Sequence, residues 1–435
     1  MKFSIKDYLY PVKIFSQYRS LSKSAYFPYN KLEELQSQKL RKLIVHSYEN
    51  VPYYRELFDK EKLKPEDIQT TKDLVHIPVL TKDILRERFD DLTAINSKQF
   101  RPYINRTSGS TGTPLQFMQD KNVSIARFAF FWHIWQMAGY KPYMRWAQID
   151  GMFIGDSKKI WKYSYALNSL QISAYKLNTQ NCISIIQKLN DFNPKIIRGY
   201  PSALEILAAN IVEQKLPLNF NVKSVITYSE KLHKHQRHLL EKAFNCKVYD
   251  IYSMWEAVCI ISECDHNNKH QHMEYSAMEL LNENNQPVES GITGEITATS
   301  FYNYSMPFIR YKTGDLANLS QSKCSCDRNH LIVENIDGRA DDIIITPDGN
   351  KIGRISPAFS PIKGINYAQI VQNQIEIINI YLVKNKDFNS DTLSQLEIEL
   401  RKRVGKTIMI EFYFVEDIKP SSNGKRRLVI NNIKK

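Results

Sequence analysis

The alternation of hydrophobic and polar positions predicts helices and strands along most of the chain. Between residues 31 and 48, apolar side chains recur at near-helical spacing, which predicts an amphipathic helix. Further on, the segments KIIRGY, VKSVITY and KVYDIY are typical of buried strands, and the helical patterns PSALEILAANIVEQ and HKHQRHLLEKAF lie between them. Strands that alternate with helices in this way predict an α/β fold built around a mainly parallel sheet.

The pattern changes after about residue 290, where short strands and turns predominate. The segment DIIITPDGNKI predicts a hairpin, and the strands EIINIYLV and IMIEFYFVE enclose one amphipathic helix. We expect Asp391 to cap that helix and Gly405 to end it. The chain is therefore predicted to form a large N-terminal α/β domain with mixed sheets over residues 1–337 and a small C-terminal α+β domain over residues 338–435.

Composition and charge narrow the classes of function. The chain has 435 residues, of which 43% are hydrophobic and 24% are charged, as in an ordinary globular protein, and its net charge is +13. The lysines are scattered, and neither zinc-finger spacing nor an aromatic and basic RNA-binding motif occurs, so we expect no nucleic acid partner. The charge leaves small anionic substrates or an anionic membrane surface as partners.

The most apolar helical pattern, ARFAFFWHIWQMAG, bears on localisation. It is too short to span a bilayer and carries Arg127 and His133, so we interpret it as a buried core helix and expect no integral membrane segment. The N-terminal sequence lacks the continuous apolar core of a secretory signal. We expect a cytoplasmic protein, and peripheral attachment to a membrane is the alternative that the positive charge leaves open. A homodimer is compatible with the sequence.

A loop rich in glycine and hydroxyl groups lies in the segment RTSGSTGTPLQF. Gly109 and Gly112 free the backbone for close approach to another molecule, and the hydroxyl and N–H groups around them suit an anion, usually phosphate. The loop lacks the Gly-Lys-Ser/Thr ending of the standard P-loop, since Thr113 and Pro114 follow Gly112. A nucleotide bound here needs a cation from elsewhere in the chain or from a metal. An ordinary surface loop is the alternative interpretation.

Four later segments share this mixture of glycine, hydroxyl groups and single charges: DIYSMWEAV, RYKTGD, DGRADD and SSNGKRR. Each alone is typical of a solvated turn. In this order, together with the loop, they resemble the motifs of the adenylate-forming enzymes, and in particular the phenylacetate–coenzyme A ligase-like branch, which includes proteins of capsular polysaccharide biosynthesis. The segments KLIVHSYENVPYYRELF and IIRGYPSALEILA also resemble that branch, so the resemblance covers nearly the whole chain.

The resemblance implies the adenylate-forming fold and a two-step reaction. A small carboxylic acid attacks the α-phosphate of ATP and expels pyrophosphate, and the acyl group then passes to an acceptor. The family favours coenzyme A as the acceptor, and the amine of an amino sugar is the competing one. A non-catalytic scaffold on the same fold is the rival from another class. The charged motif residues that this chain retains argue against it, because a decayed site would be expected to lose some of them.

The resemblance also implies roles for individual residues. Tyr252 would stack on adenine, Asp315 would accept hydrogen bonds from both ribose hydroxyls, and Glu256 would hold Mg²⁺. Lys425 would bridge the substrate carboxylate and the α-phosphate, and Asp341 would be the hinge of the small domain. The implied nucleotide-binding set is Thr107, Ser108, Gly109, Ser110, Thr111, Gly112, Thr113, Ser229, Glu230, Tyr252, Ser253, Asp315 and Arg339, and its catalytic members are Lys425, Glu256 and Arg339.

Two departures from the family pattern bear on the acid. Ser253 stands where the family usually has glycine after Tyr252, with a bulky Trp255 two positions later. Ser229 precedes Glu230 where relatives often carry glycine. Both changes leave the charged positions intact and put the identity of the acyl substrate in question.

The cysteines predict a metal site in residues 259–330. A Cys-x-Cys pair, Cys324 and Cys326, follows some sixty residues after Cys264 and a cluster of histidines. The two thiolates of that pair, together with Cys264 and one histidine, would complete a tetrahedral Cys₃His zinc site. Free buried thiols are the alternative. Several members of the resembled branch carry a structural zinc here, which implies Cys264, His270, Cys324 and Cys326 as ligands, with His272 as the rival of His270. The remaining cysteines are interpreted as core residues: Cys182, Cys246 and Cys259.

Overall fold

The computed structural model describes residues 10–435 apart from 107–114, 142, 152–158, 166, 178, 340–343, 349–350, 353–354, 356–357, 360–361, 420–426 and 434–435. Its helices are α1 (Tyr10–Ser24), α2 (Tyr29–Asn50), α3 (Pro52–Lys60), α4 (Lys82–Glu87), α5 (Lys121–Met137), α6 (Thr179–Phe192), α7 (Pro201–Glu213), α8 (Lys234–Phe244) and α9 (Ser390–Val404). Its strands are β1 (Tyr103–Arg106), β2 (Gln116–Gln119), β3 (Trp146–Asp150), β4 (Trp161–Ser164), β5 (Ser169–Ser173), β6 (Ile196–Gly199), β7 (Ser224–Tyr228), β8 (Lys247–Ser253), β9 (Ile260–Glu263), β10 (Lys269–Gln271), β11 (Ser276–Leu281), β12 (Gly294–Ser300), β13 (Tyr311–Ser320), β14 (Ile332–Arg339), β15 (Ile344–Ile345), β16 (Lys351–Ile352), β17 (Ile365–Gln374), β18 (Ile377–Lys384), β19 (Met409–Phe414) and β20 (Val429–Asn431).

The chain divides into two compact units. The first comprises Met1–Pro142 and Tyr249–Ile336, and the second comprises Tyr143–Val248 and Asp337–Lys435. Each unit therefore contains two separate stretches of sequence. The division into domains at residues 337 and 338 stays a prediction.

The first unit is built on antiparallel strands in the order β11-β12-β13-β14-β10-β9-β8. The predicted amphipathic helix near residues 31–48 is confirmed as α2, which buries Leu40, Leu43 and Ile44 in the same core as Phe58 and Tyr311. Helix α5 contains the most apolar segment of the chain and buries seven of its side chains, which confirms the interpretation as a core helix. Among the described helices, none is long and apolar enough to cross a membrane.

The second unit contains the predicted α/β alternation. Strands β7, β6, β3 and β5 lie side by side in that order and run parallel, and β4 pairs antiparallel with β5. Helix α7 follows β6 and α8 follows β7, as the sequence predicts. Proline occupies the first turn of α7, where its missing N–H needs no partner. Cys182 is completely buried in this core, as expected, whereas Cys246 packs against the core and is half-buried.

Residues 344–432 of the second unit include a four-stranded sheet in the order β19-β18-β17-β20 and the predicted hairpin β15–β16. Helix α9 buries Leu396, Leu400 and Val404 against this sheet, together with Ile378. The predicted cap of this helix is wrong by two residues. The cap is Asn389, whose side-chain oxygen accepts hydrogen bonds from the N–H groups of residues 391 and 392.

Asp391 lies instead in the first turn of α9, where its negative charge still favours the helix N-terminus. The prediction that Gly405 ends the helix is confirmed, since it is the C-terminal cap and has a φ of 78°.

Candidate nucleotide site and metal-binding cluster

Two residues of the predicted nucleotide site meet in the first unit. The Tyr252 hydroxyl donates a hydrogen bond to Oδ2 of Asp315, with 2.7 Å between the two oxygens, and both side chains are half-buried. Burial, and then the negative charge of Asp315, raises the pKa of Tyr252 well above its usual value. The phenol is therefore protonated at neutral pH and presents an O–H group to the carboxylate.

The sheet of the first unit curls to make this contact. Three strands, β14, β10 and β9, lie between β13, which carries Asp315, and β8, which carries Tyr252. At a strand spacing of about 4.8 Å, a flat sheet separates β13 from β8 by roughly 19 Å. The sulfurs of Cys259, which directly precedes β9, and of Met278 on β11 likewise lie only 3.9 Å apart, although four strands separate β9 from β11 in the sheet order. The sheet therefore closes on itself toward a barrel.

Two neighbouring side chains hold the part of β13 that carries Asp315. Gly314 has a φ of 84°, a conformation that favours glycine, and its N–H donates to Oε1 of Glu295 over 3.0 Å. The Lys82 ammonium donates to the carbonyl oxygen of Thr313 over 2.8 Å. Sequence reasoning missed Lys82, because 231 positions separate it from Thr313 and no local pattern links the two.

Glu256, the predicted Mg²⁺ ligand, lies beside the same strand. The hydroxyl of the fully buried Tyr311 donates to Oε1 of Glu256 over 3.4 Å, and Tyr311 precedes Asp315 by four residues on β13. Carboxylate oxygens are the hard ligands that Mg²⁺ prefers, so the Glu256 side chain fits the ion assigned to it. The ring of Trp255 lies 4.9 Å beneath the Arg127 guanidinium and is half exposed. Ser253 ends β8 one position after Tyr252.

Several predicted site residues lie outside the described residues. They are the loop Thr107, Ser108, Gly109, Ser110, Thr111, Gly112 and Thr113, the hinge Asp341 and the late Lys425. Arg339 is the last residue of β14, and its side chain also lies outside the description. The roles of these residues stay predictions.

Ser229 and Glu230 follow β7 in the second unit. The Glu230 carboxylate accepts hydrogen bonds from the N–H and the hydroxyl of Ser202, over 3.0 and 3.1 Å. Ser202 lies in the first turn of α7, so Glu230 satisfies donors at the N-terminus of that helix. Ser229 has a φ of 68°, a left-handed conformation that favours glycine. A direct contact of either residue with nucleotide stays a prediction.

The four predicted metal ligands meet in the first unit. One donor atom each from Cys264, His270, Cys324 and Cys326 lies within 4.8 Å of the others. The sulfurs of Cys264 and Cys324 are 3.6 Å apart, and the Cys326 sulfur is 3.3 Å from Nε2 of His270. A tetrahedral zinc ion with Zn–S bonds of about 2.3 Å separates two ligand sulfurs by roughly 3.8 Å. The spacing fits zinc, whereas a disulfide needs about 2.05 Å.

The surroundings of this cluster suit metal binding. Burial works to raise the pKa of the Cys324 thiol, but hydrogen bonds, the first of them from the Asn268 amide 3.1 Å away, hold that pKa below its ordinary value. Burial, and then the charge of Arg328, lowers the pKa of His270 to about 4. The imidazole is therefore neutral at neutral pH, which is the form that binds metal.

The rival ligand, His272, faces a different partner. Its Nε2 lies 2.8 Å from the Ser262 hydroxyl, and its ring stands edge-on to Phe130 with the centroids 5.7 Å apart. Of the two histidines, His270 alone joins the cluster.

Known proteins resemble the chain along most of its length. Residues 344–432 match the family described as the CapK C-terminal domain. Protein CapK of Staphylococcus aureus is 29% identical over 414 residues, which cover 93% of this chain and 90% of CapK. A phenylacetate–coenzyme A ligase of Thermus thermophilus is 27% identical over 331 residues, covering 73% of this chain and 72% of the ligase. The crystal structure of a 2-hydroxyisobutyryl-CoA ligase with 2-HIB-AMP has the same fold, with a TM-score of 0.75 at 18% identity over 94% of this chain and 92% of the ligase.

Proposed function

We propose that the chain is an ATP-dependent, AMP-forming ligase of the adenylate-forming superfamily, in the branch that holds CapK and the phenylacetate–coenzyme A ligases. The observation that carries the proposal is the meeting of Tyr252 and Asp315, which lie 63 positions apart in sequence and on strands far apart in the sheet order. Glu256 lies beside the same strand, bonded to Tyr311. The proposed adenine-stacking ring, ribose acceptor and metal ligand thus come together from two segments of the first unit, DIYSMWEAV and RYKTGD.

In the first step, a carboxylate oxygen of the acid forms a bond to the α-phosphorus of ATP, and the bond from that phosphorus to pyrophosphate breaks. The protein contributes charge neutralisation rather than a nucleophile, because the acid and the three phosphates crowd negative charge into one site. Asp315 accepts from the ribose, and Tyr252 orients Asp315 through its O–H. Glu256 would hold Mg²⁺, which would offset phosphate charge. Lys425, Arg339 and the loop Thr107–Thr113 supply the remaining donors.

In the second step, the acyl group leaves AMP for an acceptor. We take coenzyme A as that acceptor, because the relatives named as ligases join their acids to it. The similarity to CapK supports a role in surface polysaccharide biosynthesis. The amine of an amino sugar is tested as a competing acceptor in the same assay.

We further propose that Cys264, His270, Cys324 and Cys326 hold a structural Zn²⁺. Four protein donors would close the coordination shell and leave no open position for a reacting water. The cluster joins the β9–β10 hairpin, which pairs with β8, to the connection between β13 and β14. A metal here would therefore link the hairpin next to β8, the strand of Tyr252, to the segment that follows β13, the strand of Asp315.

Pyrophosphate release from MgATP tests the proposal. The purified protein is offered a panel of aliphatic, aromatic, hydroxy, amino and sugar acids, and Lys425→Ala is the blank. We expect release with at least one class of acid and at least a hundredfold less with Lys425→Ala, whose bridge matters most as charge develops. ATP binding by the variant should stay close to that of the wild type.

Asp315→Asn and Asp59→Asn form a matched pair in the same assay. Both aspartates accept a tyrosine hydroxyl, but Asp59 does so from Tyr48 at the surface, so only Asp315→Asn should weaken ATP binding. Coenzyme A and an amino sugar are then added in turn to name the acceptor. Silence with every acid in a protein that binds no ATP would favour the scaffold alternative, and full activity of Lys425→Ala would remove the role assigned to that lysine.

A further inference from the structure

The parallel sheet of the second unit reverses its strand order between β3 and β6. The chain leaves β3 and places β5 on one side of it, then returns to place β6 on the other side and β7 beyond β6. In open α/β sheets, ligands bind in the crevice that such a reversal leaves outside the carboxyl ends of the strands. Asp150 is the last residue of β3, and Tyr200 directly follows the last residue of β6. These two residues therefore flank the reversal.

The carboxyl ends of three strands present polar side chains on one face of this sheet. The register pairs Gln148 on β3 with Arg198 on β6, and Arg198 with Ile226 on β7. Side chains two positions further along a strand lie on the same face, which adds Asp150 and Tyr228. We call Gln148, Asp150, Arg198, Tyr200 and Tyr228 the polar face.

A buried carboxylate lies at the centre of the polar face. Asp150 is 5% exposed, and its Oδ2 accepts a hydrogen bond from the Tyr228 hydroxyl over 2.8 Å. The Gln148 amide donates to the same oxygen. A buried carboxylate is costly unless hydrogen-bond donors surround it, and Tyr228 and Gln148 supply two such donors to Asp150.

Aromatic rings and one cation complete the polar face. The Tyr200 and Tyr228 rings meet edge-on with their centroids 5.8 Å apart, and the Arg198 guanidinium lies 5.2 Å over the Tyr228 ring. Burial, and then the charge of Asp150, raises the pKa of Tyr200 to about 12, so both phenols keep their protons at neutral pH. A Cβ at position 199 would collide with the carbonyl oxygen of Ile149, so glycine there lets β6 end flush against β3.

We propose that the polar face binds the acyl part of the acid, and that this acid carries a hydroxyl or amino group which donates a hydrogen bond to Asp150. The inference rests on the proposed ligase activity and names its substrate class. A hydrocarbon acid packed here gains no hydrogen bond from a lining of carboxylate, phenol and guanidinium groups. A donor group on the acid complements the negative charge of Asp150, so the site should prefer such an acid over the analogue that lacks the donor.

Matched acids test the inference. The wild type is assayed for pyrophosphate release with butyrate, 3-hydroxybutyrate and 3-aminobutyrate, and with phenylacetate and 4-hydroxyphenylacetate. We expect kcat/KM to be at least tenfold higher for the acid with the donor group in one of these sets. Asp150→Asn, which keeps the size of the side chain, should reduce that preference at least tenfold while KM for ATP stays unchanged, and Tyr228→Phe should reduce it severalfold.

Tyr163→Phe is the control, because Tyr163 also donates to a side-chain oxygen, that of Asn168, but lies on β4 away from the polar face. It should leave the preference unchanged. Equal or better use of the hydrocarbon acids, or a preference that survives both Asp150→Asn and Tyr228→Phe, would overturn the inference and leave the ligase activity standing. Pyrophosphate release from none of the acids, here or in the broader panel, would overturn the proposed function and this inference with it.

Discussion

Nε2 of His270 lies 3.3 Å from the sulfur of Cys326, whereas His272, two residues further on, pairs with Ser262. If the cluster binds zinc, only the first histidine should be needed. We expect His270→Asn to lower the zinc content of the purified protein from about one equivalent to well below half, and to lower the melting temperature by several degrees. His272→Asn should retain the metal. Elemental analysis and thermal unfolding measure both. Equal loss in the two variants, or a wild type without zinc, would contradict the assignment.

Removing the hydroxyl of Tyr252 should weaken ATP binding modestly. Tyr252→Phe keeps the ring for adenine but loses the hydrogen bond to Asp315, which is worth about 1 kcal/mol, or roughly fivefold in KM for ATP. Tyr48→Phe is the matched control, because it removes a tyrosine–aspartate hydrogen bond of 3.1 Å at the surface. Initial rates of pyrophosphate release at varied ATP give both KM values. The same KM for ATP in Tyr252→Phe and in wild type would argue that the Tyr252 hydroxyl does not position Asp315 for ATP binding.

Acid should destabilise the protein through buried His133. Burial, and then the charge of Arg328, lowers the pKa of His133 to about 4, whereas an unfolded histidine has a pKa of about 6.5. Between these two pH values the unfolded chain binds a proton that the folded chain excludes. The contribution of neutral His133 to the free energy of unfolding is therefore fully present above pH 6.5 and is lost as the pH falls toward 4. The loss is at most about 3 kcal/mol.

Denaturant unfolding between pH 4 and pH 7 measures this contribution. His133→Gln should flatten the fall in unfolding free energy, and the exposed His238→Gln should follow the wild type. A profile for His133→Gln that parallels the wild type would show that other groups cause the fall.

The core of residues 344–432 should depend on one face of α9. Leu396 is completely buried there, while Ile398, on the same helix, is 57% exposed. We expect Leu396→Ala to cost about 2–5 kcal/mol and Ile398→Ala less than about 0.5 kcal/mol. Hydrogen exchange of the backbone amides in β17 and β18 reports the difference locally. Similar protection in both variants would mean that α9 contributes little to this sheet.

The elements of the second unit could be predicted because their signals are local. Strand β6 and helix α7 each carry a complete hydrophobic pattern and a proline where a helix begins. The N-terminal cap of α9 is harder to predict, because Asn389 and Asp391 are both favoured cap residues and only the backbone torsions decide between them. A local sequence pattern therefore predicts that a helix exists, but it locates the first residue of that helix only to within about one turn.

The site could be predicted only where a motif named the residue. Tyr252 and Asp315 belong to motifs, and so do the four residues of the metal cluster. The contact between Tyr252 and Asp315 depends on the curl of the sheet, which no local sequence pattern predicts. Lys82 and Asp150 have no motif, and their positions beside Thr313 and Tyr228 follow from strand order and tertiary packing.

The metal cluster consists of two short-range pairs that are far apart along the chain. Cys264 and Cys324 are separated by 60 positions. Closing a loop of that length costs the unfolded chain on the order of 4 kcal/mol in entropy. A metal bound by Cys264 and His270 could not also bind Cys324 and Cys326 until β13 and β14 have joined the β9–β10 hairpin. Capture of a metal by all four ligands would therefore be a late event in folding, and a bound metal would slow unfolding more than it would accelerate folding.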